Sequence, residues 1–104
     1  MKKEFTGNVY EDAITKWGEN AQFDQLVEEM AELTLAVSKY KRQFNDSLLP
    51  EQRKNVMDNL FVEIADVKLM IEEMEFMFGK ENVDKAYQKQ LKKFKLELYG
   101  EEQE

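Results

Sequence analysis

Apolar residues recur every three or four positions along nearly the whole chain, and alternation of period two is nowhere sustained. That spacing predicts helices and no strands. Gly18, Gly79 and Gly100 each close an apolar-periodic segment and Pro50 opens one, so the pattern divides into four helices. The first is expected over residues 8–17, with Tyr10, Ile14 and Trp17 on one face and Asn8 and Glu11 spaced as a capping box. Thr6 and Gly7 leave the residues ahead of it frayed. The second runs over about 20–44 with Leu26, Met30, Leu33, Val37 and Tyr40 as its stripe. Residues 45–49 form the one loop of any length, where Leu48 and Leu49 are placed to pin the connection to the core.

The third helix, about 50–78, is apolar on two sides. Leu60, Ile64, Val67 and Ile71 occupy one; Phe61, Val62, Ala65, Leu69 and Phe76 spread around the rest; Lys68, Glu72 and Glu75 mark a wet strip. A helix apolar nearly all round requires cover nearly all round, which three short companions do not supply. The expectation is therefore a homodimer or homotetramer built on this helix. The fourth helix, about 81–99, carries Val83, Tyr87, Leu91, Phe94 and Leu98 on one stripe, with Lys85, Lys89, Lys92, Lys93 and Lys95 elsewhere. An acidic, disordered tail follows Gly100. The fold class expected is all-α: a single four-helix domain over 1–104, ordered over about 8–99.

Charge and composition narrow the chemistry. With 22 acidic against 15 basic residues the net charge is −7, which argues against a nucleic-acid surface. No apolar run approaches a membrane span and the first residues lack a signal-like core, so a cytoplasmic protein is expected. There is no cysteine and no histidine. Thiolate and histidine-based catalysis are thereby excluded, and any metal must be held by oxygen, which suits magnesium, manganese or calcium.

The acids themselves fall in a telling place. Glu29 and Glu32 lie about 60° apart on the second helix, bordering its buried stripe, and Glu63 and Asp66 repeat that spacing on the third. The two longest helices are expected to be antiparallel neighbours, so four carboxylates can converge across one seam. Apart from Lys68 on another face, no basic residue lies within a turn of the second pair, and a bound cation is the simplest counter-charge. In so acidic a chain the plainer reading, a solvated acidic face, stands beside it.

Glu28-Glu29-x-x-Glu32 followed some thirty residues later by Glu63-x-x-Asp66 resembles the motif pair of the MazG-like all-α nucleoside triphosphate pyrophosphohydrolases. Lys16-Trp17-Gly18 and Ala21-Gln22 resemble the lead-in of small MazG-like proteins, and the likeness extends over about 14–98 in helix order and loop placement. The resemblance implies a MazG-type four-helix bundle whose motifs bind Mg²⁺, with Mn²⁺ as a substitute. A water attacks the α-phosphorus of a nucleoside triphosphate, giving a monophosphate and pyrophosphate. Carried over, Glu29, Glu32, Glu63 and Asp66 are the metal ligands, and Glu28 is an extra ligand or orients a metal-bound water. An arginine is common after the family's second motif, where this chain has lysines.

Weaker candidates remain open. Lys39, two turns beyond Glu32, and Asn59, one turn before Glu63, are placed to touch phosphate or sugar, or are a solvated lysine and an interface residue. Lys89 and Lys93 reach phosphates only if the fourth helix closes over the acids. Trp17 is a base-stacking residue or a core aromatic. Rival readings of the whole are a helical interaction module without catalysis and an inactive, nucleotide-binding MazG relative.

Overall fold

The computed structural model describes residues 4–43 and 48–100. They contain four helices and no strand: α1 (Val9–Trp17), α2 (Glu19–Arg42), α3 (Pro50–Phe78) and α4 (Lys80–Tyr99). The second helix stops two residues short of the expected end, and Gln43 caps it by donating its N–H to the Lys39 and Tyr40 carbonyls. The loop expected over 45–49 lies largely outside the described residues. Of its two leucines, Leu49 is 65% exposed and so does not pin the connection; its backbone N–H is held by the Gln52 side chain at 2.8 Å instead.

The start of α1 is more firmly tied than its sequence suggests. Asn8 Oδ1 accepts from the N–H groups of Tyr10 and Glu11, satisfying two of the donors that every helix start leaves open. The reciprocal half of the capping box is missing, because the Asn8 N–H goes to Thr6 Oγ1. Asp12 then takes the role expected of Glu11: its carboxylate accepts from Thr6 N–H at 2.8 Å and Gly7 N–H at 3.1 Å. These bonds, the Thr6 one foremost, hold the Asp12 carboxyl below its ordinary range. Thr6 and Gly7 are anchored, in contrast to the frayed lead expected.

Gly18 serves both as the end of α1 and the start of α2. Its φ of 88° is accessible to glycine at little cost, and it allows the chain to turn between two helices with no further linker. Its N–H closes on the Ile14 carbonyl at 2.8 Å. α1 consequently folds back and packs on α2.

The long-range contacts divide the chain into two compact units, residues 1–73 and 74–104. Within the first, the pairing of α2 with α3 can be read from side chains. Gln22 meets Glu73, Glu29 faces Asp66 and Glu32 faces Glu63, so each step up α2 is matched by an equal step down α3. The two helices are antiparallel, as expected from their order. Their buried residues are Ala36, Val67 and Met70, together with the polar Gln22 and Glu73. The wet strip expected on α3 is only partly wet: Lys68 is exposed, but Glu72 and Glu75 are half-buried, and Tyr10 Oη donates to Glu72 Oε2 at 2.6 Å.

The second unit comprises the last turn of α3, Gly79 and α4. Gly79 takes φ 97°, and a Cβ added there would lie 2.9 Å from Asn82 Nδ2. Asn82 in turn donates to the Phe78 carbonyl at 3.0 Å, and Lys80 pairs with Asp84 at 3.1 Å. The apolar stripe of α4 is open: Tyr87, Phe94 and Leu98 are each 60% exposed. So are large residues on α3, including Phe61, Val62, Ile64 and Leu69. Among the described residues no large side chain is fully buried within the single chain.

Candidate metal centre

Three of the acids singled out by sequence come together. Carboxylate oxygens of Glu29 and Glu32 on α2 and of Glu63 on α3 all lie within 4.8 Å of one another. The helical spacing of three puts the first two on one face, and the antiparallel register brings Glu63 across the seam opposite Glu32. Asp66 stands beside this group, lining a cleft together with Glu29, and its negative charge bears on Glu29. The structure therefore gathers three acids with a fourth adjacent.

The group carries uncompensated charge. Glu29 Oε1 accepts from Gln25 Nε2 at 2.7 Å, but Glu29 Oε2 and Glu63 Oε2 are shielded from solvent and have no hydrogen-bond partner. Among the described residues no lysine or arginine forms an ion pair with any of the three. Loss of hydration pushes the Glu29 carboxyl up, and the charges of Glu32 and Asp66 add to it. Glu32 is raised likewise, by lost hydration and then by the Glu63 and Glu28 carboxylates. Orphaned, shielded oxygens at a point of mutual repulsion are what a cation-binding site presents before it is filled.

The donor set fits a hard cation. Opposite oxygens lie about 4.2 Å apart around magnesium and up to about 5.2 Å apart around calcium, so the spacing needs at most a small side-chain closure. Carboxylates alone, without nitrogen or sulfur, favour magnesium, manganese or calcium over zinc.

The other sequence candidates lie further out. Glu28 is exposed on α2, near enough for its charge to act on Glu32. Lys39 and Asn59 are exposed on α2 and α3, and neither forms a hydrogen bond or ion pair with the acids among the described residues. Lys93 belongs to the second unit, on α4, beside Tyr87, Phe94 and Glu97. Trp17 is 58% exposed and so is not a core aromatic; the Lys16 ammonium lies 5.1 Å from its ring centroid.

The sequence reading missed a feature one turn and more along the same seam. A cleft of about 530 Å³ extends from Glu29 and Asp66 past Met70 to Tyr10, Trp17, Gln22 and Glu73. With its amide nitrogen turned toward Glu73, Gln22 donates to both carboxylate oxygens, at 2.8 and 2.9 Å. Burial pushes the Glu73 carboxyl above its usual range. The signal was in the spacing: Asp66, Met70 and Glu73 are on one face of α3, at steps of four and three.

Fold and centre together define an all-helical protein with a carboxylate cluster on a helix seam. Protein-family models, curated proteins and solved structures give no match to this chain. Among the described residues, no helix is long and apolar enough to cross a membrane.

Proposed function

We propose that Glu29, Glu32 and Glu63, with Asp66 beside them, hold Mg²⁺ or Mn²⁺, and that the protein is a nucleoside triphosphate pyrophosphohydrolase of MazG-like type. The observation that carries this reading is the pair of orphaned oxygens, Glu29 Oε2 and Glu63 Oε2, within a group of acids that has no cationic partner. When bound, the cation neutralises phosphate charge and makes water a stronger nucleophile. The water oxygen bonds to the α-phosphorus, the bond from that phosphorus to the bridging oxygen breaks, and pyrophosphate leaves. Glu28, exposed beside Glu32, is placed to orient the water and take its proton. Lys39 and Asn59, on the two helices of the seam, are candidates for contacts to phosphate or sugar.

The exposed apolar residues of α3 and α4 support self-association, as a homodimer or homotetramer in which a second copy covers them. The same surface favours one other reading, a helical interaction module whose acids only confer solubility. A screen of nucleoside triphosphates with magnesium, with products identified by ³¹P NMR, distinguishes them. The enzyme yields monophosphate and pyrophosphate. Diphosphate and orthophosphate, or no turnover of any triphosphate, would overturn the assignment.

A further inference from the structure

The cleft beside the acids has the makings of a selective binding pocket. Its volume of about 530 Å³ suits a small molecule, its rim is formed by exposed Trp17 and half-buried Tyr10, and its buried polar lining is Gln22 and Glu73. Seven residues separate Glu29 from Gln22 on α2 and Asp66 from Glu73 on α3, roughly 10 Å of helix, the scale of a sugar and its base. A nucleotide whose phosphates lie at the acids thus has its base within reach of the far end.

The Gln22–Glu73 pair is chemically one-sided. The Gln22 side chain has two N–H bonds, and its nitrogen lies 2.8 and 2.9 Å from the two Glu73 oxygens, so both are directed at the carboxylate. What is left on the pair is acceptors: the Gln22 carbonyl oxygen and the second lone pairs of the Glu73 oxygens. An exocyclic amino group satisfies them. An exocyclic oxo group places another acceptor against them and leaves buried polar atoms unpaired, which costs about 1–3 kcal/mol and gives at least about tenfold discrimination.

Resting on the nucleotide reading above, we infer that this cleft is the nucleoside pocket, and that Gln22 and Glu73 make it specific for an amino-bearing base, cytosine or adenine, over uracil or hypoxanthine. Trp17 forms its stacking wall.

The experiment uses the intact chain and nucleosides without phosphate, so that it does not depend on hydrolysis or metal. Trp17 is the only tryptophan, and its fluorescence reports directly on the cleft. Binding of cytidine against uridine and of adenosine against inosine is measured by Trp17 quenching and checked by equilibrium dialysis. The expected result is at least about tenfold tighter binding of the amino member of whichever pair binds, with the ratio falling toward one in Glu73→Gln. Equal affinities within both pairs, or no binding of any nucleoside by either method, overturn the assignment; the wild-type ratio decides even if the variant fails to fold. Mn²⁺ binding and pyrophosphate release are measured on the same preparation. Both positive with no base discrimination leaves the metal reading standing and the pocket assignment wrong, whereas discrimination without Mn²⁺ binding does the reverse.

Discussion

Replacing Glu63 by glutamine tests whether the acids are kept for structure or for a cation. In the metal-free protein Glu63 Oε2 is shielded and unpaired, and its neighbours are the carboxylates of Glu29 and Glu32. Glu63→Gln removes one of three like charges and supplies an amide N–H in the same volume. A hydrogen bond to a charged group is worth about 1.5–3 kcal/mol when buried. Glu63 is only half-buried, so solvent screening reduces the net gain to about 1 kcal/mol. For a domain of this size that is roughly 4–8 °C in melting temperature, upward, in EDTA. Metal reverses the order. Magnesium at 100 times its dissociation constant adds about 2.7 kcal/mol to a fold that alone gathers the ligands, so wild type gains about 10 °C or more and overtakes the variant. The assay is a thermal melt followed by circular dichroism, both proteins in EDTA and in a magnesium series. A variant that melts below wild type in EDTA, with wild type indifferent to magnesium and manganese, would refute the reasoning and identify the acids as structural.

Acidity should act in two separate windows. Glu29, Glu32 and Glu73 titrate higher folded than their model value of 4.5, so stability of the metal-free protein should rise as pH falls from 7 through their folded values toward 4.5. Asp12 is lowered from 3.8, so its contribution is lost only as pH falls below that value; a denaturant series across pH should trace a maximum between the two windows. Asn8→Ala removes the acceptor for two helix-start N–H groups and should cost about 1 kcal/mol in urea unfolding, without altering metal response. Phe61→Glu, at a side chain 59% exposed in the single chain, should leave the helices folded by circular dichroism but shift sedimentation from oligomer to monomer; a wild-type monomer would dismiss the self-association proposal.

The frame of this protein was legible because its punctuation is local. Asn8, Gly18, Pro50 and Gly79 set helix ends through backbone chemistry that neighbouring residues alone determine, and the four helices follow within one or two positions. The acids were legible for a related reason: a spacing of three fixes a face, and two long helices in sequence favour antiparallel pairing. What periodicity does not carry is which polar residue turns inward. Glu73 sits between Glu72 and Met74 in a run that looks solvated, and Gln22 precedes the apolar stripe, yet their mutual hydrogen bonds let both be buried. Glu72 likewise leaves the solvent because Tyr10, from another helix, reaches it. Pairings of that kind depend on register between distant segments. Met30 and Val37 show the converse: they belong to the expected stripe of α2 but are half exposed, while Ala36 is the residue most fully covered.

The central claim is that the carboxylates of α2 and α3 hold a divalent cation. Titration of the protein with Mn²⁺, following free ion by electron paramagnetic resonance, measures this without any assumption about substrate. Saturable binding that magnesium displaces and that Glu63→Gln and Glu29→Gln each weaken at least about tenfold is the predicted result. Free Mn²⁺ signal that falls no faster in wild type than in the two variants would contradict it.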